Sequence, residues 1–565
     1  MTSARRMVST AVALAATALG GGLPTLTGIA GAQGSTAAQE TYRVPPNGVF
    51  TFQGHGWGHG HGMSQYGAYG AAKVRGLSYQ QIVAFYYPHT TLVGRSRSTI
   101  VKVLMHGTTE RELVVAPRAK SPMTITTTAA HVSACRLPTT LDGGKSTVTR
   151  WRARRVSTAA GHRMLVKGSS DGTTWSRVNP ATCDAAWAKP IDGSVTFTSG
   201  AVTNLVRSGG LAPYRGSLRA AFTGTRVFVV NVVRLESYLR SVVPSEMPSS
   251  WSAAALQAQA VAARTYASYE IEHPKNKPYY DVYDDTRDQM YVGVRGEAAA
   301  STAAVQATQN PSADTAMVLQ DSAGHAAFTQ FSSSDGGWTV SGGQPYLPAH
   351  RDPYDGLVPS SVHSWTSTIA ASSLSSAFGG QIGTVRSIVV TDRDGHGQWG
   401  GRVTSLTLHG TDGNVSLSGS AFRYDFGLRS EWFRVLLPPT RPTVVTAAVA
   451  HGTASVSWQP PPAVGGHAGV TGYRIVLQPS GATRTVAAGV RSASLGSVTS
   501  GFRTRATVTA LSSAGPGQGT TVTSKVHRLA AGNRVATAVA VSRATFAAGK
   551  AGAVVLARRA TTTGL

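Results

Sequence analysis

Short apolar alternations fill the chain from about residue 100 to residue 233. Val227–Val233 is one such run, and glycine, threonine and aspartate turns separate it from its neighbours. Because the side chains of a β-strand point alternately to the two faces of its sheet, this period of two predicts a region made mostly of sheet.

One segment departs from this pattern and predicts a helix. Residues Ala253–Tyr269 are rich in alanine and contain neither glycine nor proline. Three serines precede them and any one could serve as the N-cap: Ser249, Ser250 and Ser252. Alanine has the highest helix propensity, and serine is among the preferred N-cap residues. A second helix-like segment follows a Gly- and His-rich loop within residues 43–94, so we expect an α+β, sheet-rich domain over 43–436.

Beyond a stiff, proline-rich linker at 436–442 the pattern is that of a separate all-β domain. Strand-like runs around Trp458, Tyr473 and residues 507–511 follow one another at the spacing of a sandwich. We therefore expect a β-sandwich at 440–527 and a distinct terminal segment at 528–565.

The first residues have the features of an export signal. Arg5 and Arg6 precede an apolar stretch, and Ala30-Gly31-Ala32 offers a small-residue cleavage site. We expect a signal peptide at 1–32 that is removed on secretion. A membrane anchor, the alternative, needs about 20 uninterrupted apolar residues, whereas glycines 20–22 and Pro24 break this run. The later sequence predicts no bilayer span, so we expect no stable membrane anchor after cleavage.

The exported part contains two cysteines, Cys135 and Cys183. In an oxidising compartment a single disulfide between them is the natural expectation, and two unpaired thiols are the alternative. Two cysteines cannot complete the four-ligand cage of a structural zinc site, so the pair does not predict a metal.

The net charge of the chain indicates a class of binding partner. The chain has 52 lysines and arginines against 26 aspartates and glutamates, a formal net charge of +26. Such a field favours an acidic polymer, and outside the cell these are anionic wall polymers and peptidoglycan carboxylates. We expect no nucleic acid, because the sequence shows neither a basic motif nor an aromatic platform for it. A compositional bias is the alternative, since the basic residues are scattered along the chain.

The richest stretch for chemistry runs from Asn231 to Pro248 and contains Pro244-Ser245-Glu246-Met247-Pro248. It predicts the Glu246 carboxyl on a proline-bracketed loop just before the alanine-rich helix. An acid that cleaves glycosidic bonds needs a raised pKa, which apolar neighbours such as Met247 and Trp251 would provide. The helix N-terminus would lower that pKa, so the sequence leaves the direction open. The alternative role of Glu246 is that of a capping or salt-bridged surface acid.

The predicted helix carries polar side chains at helical spacing. Gln257 and Arg264 are seven residues apart, as are Gln259 and Tyr266, so each pair lies on one face. Polar groups recur where a packing helix would prefer leucine, which favours a functional face.

A second motif alternates glycine with histidine and tryptophan from Gly54 to Gly62 and continues into Met63-Ser64-Gln65-Tyr66-Gly67-Ala68. Three histidines within seven residues leave a metal site open. Alternating glycines more directly imply backbone close to a ligand or to another segment. We favour a cleft lining in which His61, Ser64 and Gln65 bond a sugar, because no carboxylate or cysteine accompanies the histidines at ligand spacing.

Both motifs resemble the stage II sporulation protein D (SpoIID/LytB) family, and the likeness covers roughly residues 45–435. Segments 280–291, 331–337 and 418–433 also look like parts of that family. The resemblance implies that Glu246 is the catalytic acid. It also implies that further polar residues hold a glycan together with the Gly/His segment, namely Gln257, Gln259, Arg264, Tyr266, Gln289, Ser333 and Ser334.

Two departures from the family pattern matter. The Gly/His block precedes the catalytic block, whereas in many relatives it lies near the C-terminus, so we expect a rearranged order that closes the same cleft in space. Relatives that bind zinc carry cysteine and histidine around the segments at 280–291 and 331–337, where this chain has no cysteine. We therefore expect neither a metal nor another cofactor.

The resemblance implies a lytic transglycosylase that cleaves the β-1,4 bond between N-acetylmuramic acid and N-acetylglucosamine. The family also has an amidase-enhancer branch, so a non-catalytic wall-binding enhancer of a separate amidase or hydrolase is the alternative. An adhesin or scaffold centred on the sandwich is a third hypothesis. The resemblance implies a secreted, wall-associated protein whose partners are peptidoglycan glycan strands and anionic wall polymers.

The C-terminal part carries two further likenesses. Residues 440–527 resemble a fibronectin type III domain, with Trp458 and Tyr473 at its core pair and Thr504 where it usually has a second tyrosine. From Arg528 the chain resembles the start of a cell-wall-binding repeat, with Asn533 at an aspartate position. A frayed helical tail is the alternative for this segment.

Overall fold

The computed structural model describes residues 40–118, 123–141, 144–179, 183–274, 278–498, 502–526 and 536–540. The predicted signal peptide at 1–32 and most of the terminal segment 528–565 lie outside these residues. Among the helices of the described part, none is long and apolar enough to cross a membrane.

Seven α-helices occur in the described ranges. They are α1 (Gln65–Arg75), α2 (Tyr79–Tyr86), α3 (Leu235–Glu246), α4 (Ala253–Glu272), α5 (Ala299–Ala307), α6 (Ala371–Phe378) and α7 (Gly419–Phe426). The longest, α4, is the helix that the alanine-rich run predicts, and Ser252 occupies its N-cap position.

Two large sheets form the first part of the fold. One has seven strands, in the order Val282–Tyr283, Ile100–Leu104, Val227–Arg234, Ser217–Phe222, Val195–Thr198, Met123–Thr127 and Cys135–Leu137. The other has six antiparallel strands, in the order Ser176–Arg177, Gly161–Ser169, Arg150–Thr158, Glu112–Ala116, Val202–Arg207 and Gly210–Arg215. One apolar cluster joins buried side chains of both sheets with those of α3 and α4.

A second core lies between two smaller sheets, α6 and α7. One of these sheets has the order Glu40–Arg43, Val385–Arg393, Val403–Gly410 and Asn414–Ser418. The other has the order Ser364–Ala370, Val49–His55 and Phe433–Leu436. The strand Val49–His55 leads directly into the Gly/His segment, so this core anchors one end of that segment.

Short strands connect the remaining parts. Gln309–Asn310, Thr315–Gln320 and Thr91–Ser96 form a three-stranded sheet, and Thr140–Leu141 pairs with Ser146–Thr147. Met63–Ser64 runs parallel to Phe331–Ser332. The last pair joins the Gly/His segment to the turn at 331–337.

The C-terminal part is a two-sheet sandwich. One sheet has the strand order Ser492–Leu495, Thr453–Gln459, Thr443–Ala450 and Ala536–Ala540. The other has the order Thr483–Ala487, Val470–Gln478, Arg503–Ser512 and Thr520–Val526. Trp458 and Tyr473 meet in its core with ring centroids 5.2 Å apart. Thr504 is buried there too. Together with the mixed sheets and helices before it, the sandwich confirms the predicted α+β, sheet-rich fold.

The terminal segment contributes to this sandwich. Ala536–Ala540 pairs antiparallel with Thr443–Ala450 as the edge strand of one sheet. The sandwich therefore extends past residue 527, and these five residues form a strand where the sequence left a wall-binding repeat or a helical tail open.

Cys135 and Cys183 form a disulfide that closes a sequence separation of 48 residues. Cys135 lies on the edge strand of the seven-stranded sheet, and its side chain packs in the main apolar core. The bond therefore ties the loop around residue 183 to this core.

Candidate active site

Glu246 is the last residue of α3, not part of a loop as the flanking prolines led us to expect. Pro244 lies within the last turn of that helix. The helix continues because residues on its inner face are packed: Leu235, Tyr238, Leu239, Val242 and Val243 are buried in the main core. Tertiary packing thus overrides the proline signal.

The Glu246 carboxyl is sheltered and has two neighbours that favour its anion. The backbone N–H of Met290 donates to Glu246 Oε1 at 2.7 Å. The side-chain amide of Gln65 lies near the same carboxyl, although Gln65 Nε2 makes no hydrogen bond among the described residues. Burial raises the pKa of Glu246, and these two groups offset part of that rise. The negative end of the α3 dipole acts in the same direction as burial, so a larger protonated fraction remains near neutral pH.

Gln65 reaches Glu246 because the Gly/His segment is held against the turn at 331–337. Trp57 and Ser334 exchange backbone hydrogen bonds, and Tyr66 N–H donates to the Ser333 carbonyl. At Gly56 φ is +77°, and a Cβ there would lie 2.8 Å from the Ser334 carbonyl oxygen. Only glycine tolerates this conformation and this close approach. The Gly/His segment and the turn at 331–337 are far apart in sequence, and they therefore lie against each other at this site.

The histidines of this segment are neutral at physiological pH. His59 and His61 stack with ring centroids 5.0 Å apart. Burial lowers the pKa of His59 to about 3 and also lowers that of His61. His59 Nδ1 accepts the backbone N–H of His61, and His61 Nδ1 lies 3.3 Å from the Val340 carbonyl. Both rings thus make hydrogen bonds that shape the segment.

Three buried carboxyl groups lie next to the Gly/His segment and the turn at 331–337. Asp335, Asp352 and Asp355 have oxygens within 4.8 Å of one another. Asp355 Oδ2 accepts from Ser64, Ser334 and the Gly336 N–H. Asp335 Oδ2 has no donor among the described residues. Burial and the two neighbouring carboxyls raise the pKa of Asp335 well above its usual range, which favours its neutral form.

Aromatic side chains lie on the segments that carry Gln65 and Glu246. Trp251, in the loop between α3 and α4, stacks on Tyr69 at 4.4 Å and meets Tyr66 edge-on at 4.8 Å. On α4, Tyr266 donates to Asp288 Oδ1 at 2.9 Å and stacks on Phe328. Aromatic rings with a few polar groups are a common lining of small-molecule sites.

Arg264 is not available to a glycan, which corrects its predicted role. Its side chain is 1% exposed and forms a two-point ion pair with Glu236 at 2.7 and 2.9 Å. The remaining N–H groups donate to Thr308 Oγ1 and to two carbonyls, those of Val305 and Met317. Every donor of the guanidinium is therefore used inside the protein.

Four other predicted glycan ligands are also inside the protein. Each of the four is at most 1% exposed: Ser64, Gln259, Gln289 and Ser334. Ser64 caps α1 by accepting the Gly67 N–H. Gln289 accepts from Tyr238 and donates to the Ala263 carbonyl. Ser334 donates to Asp355 Oδ2, whereas neither amide atom of Gln259 has a hydrogen-bond partner among the described residues. All four side chains are buried, so the prediction that they touch sugar is corrected.

The remaining predicted residues stay in place as candidates. Gln65 is beside Glu246, and Tyr266 retains 8% exposure. His61, Gln257 and Ser333 are half-buried. Their contact with a glycan stays a prediction.

Sequence reasoning missed the backbone donor of Met290 and the carboxyl of Asp288. Both lie in the segment 280–291, from which only Gln289 was selected. The available signal was the acidic side chain of Asp288 next to Gln289, whereas a backbone N–H such as that of Met290 gives no signal in residue type. The Asp352 and Asp355 pair gave no signal, since it gains meaning only beside Asp335.

Comparisons with known proteins place the site in a family context. Residues 223–312 match the model of SpoIID, stage II sporulation protein, which confirms the resemblance around Glu246. An uncharacterised protein of Brachyspira hyodysenteriae is 45% identical over 80 residues, 14% of this chain and 22% of that one. The amidase enhancer of Bacillus subtilis is 34% identical over 142 residues, 24% of this chain and 17% of the enhancer. The matched regions thus span about a fifth of each relative.

Among solved structures, the fn3 domain of the human collagen alpha-1(XX) chain is similar to part of this chain. The match covers 17% of this chain and 92% of that domain. Its sequence identity is 18% and the TM-score is 0.14. At this TM-score the likeness carries no argument about function.

Proposed function

We propose that this chain, whose residues 223–312 match the SpoIID family, acts on the bacterial cell wall as a lytic transglycosylase. The observation that carries the proposal is the sheltered Glu246 carboxyl, whose pKa is raised by burial beside Gln65 and the Met290 N–H. A raised pKa increases the protonated fraction of the acid near neutral pH, which favours a proton donor to a glycosidic oxygen.

The reaction needs one carboxyl used twice. Glu246 donates its proton to the oxygen that links N-acetylmuramic acid to N-acetylglucosamine, and the bond from the muramyl C1 to that oxygen breaks. The Glu246 carboxylate then accepts the proton of the muramyl 6-hydroxyl, whose oxygen bonds to C1. The products are a free 4-hydroxyl and a 1,6-anhydro end, and Glu246 is again protonated. The internal hydroxyl takes the role of a second carboxyl or an activated water.

The decisive experiment compares the mature protein with Glu246→Gln on intact and on peptide-stripped peptidoglycan. Mass spectrometry of the soluble products should find 1,6-anhydromuramyl ends from the parent and none from the variant. Glu110→Gln is the matched control, because Glu110 is 59% exposed and, within the part of the chain that the structure describes, forms an ion pair only with the surface Arg226. Hydrated reducing ends, or equal product from Glu246→Gln, would refute the transglycosylase.

A second candidate is an enhancer of a separate wall amidase, and the matched relative with that name favours it. This role requires wall binding but no proton transfer by Glu246. If the chain is an enhancer, the parent and Glu246→Gln should raise the rate of an added amidase equally, and neither should release anhydro products. The same pair of proteins therefore separates the two functions.

A further inference from the structure

The outer face of the six-stranded sheet carries a row of basic side chains. Arg152, Lys167 and Arg177 are direct cross-strand partners on three adjacent strands. Partners on one face of a sheet have Cβ atoms about 5 Å apart. The next residues along these strands point to the core and are buried, which places the row on the outer face: Ala153, Val166 and Val178.

Three more arginines extend the row into a two-dimensional basic face. Arg150 and Arg154 flank Arg152 at the positions two before and two after it, so their side chains point to the same side. Arg163 lies on the next strand, opposite Val156. Successive same-face residues along a strand are about 7 Å apart, so the charges form a grid with spacings of about 5 and 7 Å.

Carboxylates on this side of the sheet neutralise only part of the basic face. Glu112 Oε2 lies 3.9 Å from Arg152 and 3.7 Å from Arg154. Asp192 is 3.9 Å from Arg163. Asp171 is occupied in its own turn, where it accepts the N–H groups of two threonines. Within the described residues, neither Lys167 nor Arg177 has an ion-pair partner, and Arg177 donates only to the Ala188 carbonyl.

This arrangement is unfavourable for the sheet itself. Like charges directly opposite each other on neighbouring strands destabilise a sheet. Leaving Lys167 and Arg177 without an ion pair is advantageous where a negatively charged partner covers them, because neutralising successive charges of a polyanion releases its counterions.

We propose that this basic face, formed by Arg150, Arg152, Arg154, Arg163, Lys167 and Arg177, binds an anionic wall polymer with repeating phosphodiester groups. Arginine predominates, and its planar donor fork matches phosphate oxygens. We expect this polymer to lack bases, because the face, over its described residues, offers no free aromatic ring for stacking. Trp175, an aromatic side chain on this face, is already covered by the Arg152 guanidinium 4.1 Å from its ring, so it offers no stacking platform.

The choice of a wall polymer over other polyanions rests on the proposed wall function, whereas the basic face itself is independent of Glu246. A test with a soluble polymer therefore separates the two. The probe is poly(glycerol phosphate), titrated calorimetrically into the full mature chain at several salt concentrations. Peptidoglycan cleavage by the same protein samples is measured alongside.

The variant of choice is the triple substitution Arg154→Gln, Lys167→Gln and Arg177→Gln. Arg152 is left intact because it packs on Trp175. Its matched control removes three exposed arginines of the sandwich with the same change in charge: Arg474→Gln, Arg484→Gln and Arg505→Gln. We expect the face variant to bind about tenfold or more weakly, with a salt slope shallower by about 2 for three lost contacts.

Several outcomes would overturn the proposal. One is an equal loss of affinity in both triple variants, which would mean that net charge alone attracts the polymer. Another is the absence of binding by the parent chain. A third is tighter binding of single-stranded DNA with the same number of phosphates, lost in the face variant, which would identify a nucleic acid partner. The face variant should unfold at the same or a higher temperature than the parent, since it removes like-charge contacts.

Discussion

Glu246 is in an unusual electrostatic position for a glutamate. It ends a helix at the negative end of the helix dipole and is sheltered by the packed core below it. Both features favour the neutral acid, whereas Gln65 and the Met290 N–H favour the anion. The balance raises the pKa, so the acid form is present below that pKa and is lost as the pH rises through it.

This balance predicts the effect of Gln65→Met on the pH profile. The substitution removes a group that favours the carboxylate, so the pKa of Glu246 rises further and the acid form persists to higher pH. The alkaline limb of the pH–rate profile of product release should therefore move to higher pH. Gln257→Met, a half-buried glutamine on α4, is the control and should leave the limb in place. An unchanged or acid-shifted limb for Gln65→Met would contradict the role of Gln65.

The buried acid cluster gives a second prediction at this scale. Because burial favours the neutral form of Asp335, an amide of the same shape replaces the acid at little cost in the folded state. The parent loses stability at pH 7 because Asp335 ionises on unfolding, so Asp335→Asn should be at least as stable as the parent at that pH. A raised folded-state pKa means that stability falls as the pH rises above the unfolded value, and the variant should lose less stability than the parent between pH 5 and pH 8.

Denaturant unfolding at several pH values measures this effect. Asp355→Asn is the comparison, because Asp355 accepts hydrogen bonds at both oxygens and an amide nitrogen would replace one acceptor. It should be clearly less stable than the parent. Strong destabilisation by Asp335→Asn, together with a loss of parent stability on adding EDTA, would contradict a protonated Asp335.

At the scale of elements, α3 and α4 are joined by a buried ion pair. The guanidinium of Arg264 on α4 holds Glu236 in the first turn of α3 and reaches the strand Thr315–Gln320 through the Met317 carbonyl. Since Glu246 ends α3 and Tyr266 lies on α4, this pair fixes the two helices that carry the candidate site.

Arg264→Met should lower the free energy of unfolding by about 3 to 5 kcal/mol, because it leaves the Glu236 charge buried without its partner. The double variant Arg264→Met with Glu236→Leu removes both charges and should recover most of that loss. Chemical denaturation followed by circular dichroism measures both. If the double variant is as unstable as the single one, the ion pair is not the source of the loss.

At the scale of the whole molecule, the disulfide ties a long loop to the main core. Closing 48 residues restricts the unfolded chain, so replacing Cys135 and Cys183 by alanine should lower the free energy of unfolding by about 2 to 4 kcal/mol. Reductant should destabilise the parent and leave the double variant unchanged, because the chain has only these two cysteines. An unaffected parent would contradict a stabilising bond.

The fold class could be predicted from local patterns. The period-two alternation around Val227–Val233 and the alanine-rich run at Ala253–Tyr269 specify their elements through neighbours in sequence, and both elements formed as expected. The end of α3 could not be predicted this way. Two prolines around Glu246 favour a loop, but the buried face of the preceding residues extends the helix through Pro244.

The candidate site, like the fold, could be predicted from the sequence only in part. The sequence by itself determined that Glu246 belongs to a SpoIID-like motif and that the Gly/His segment must approach other backbone, because residue type and spacing carry that information. Only the tertiary structure decided which polar residues are inside: Arg264 and Gln259 share helical faces with candidate ligands, yet both are buried. It also aligned scattered arginines into one basic face and brought Gln65 to Glu246. Burial, cross-strand register and distance depend on contacts between remote segments, which no local pattern encodes.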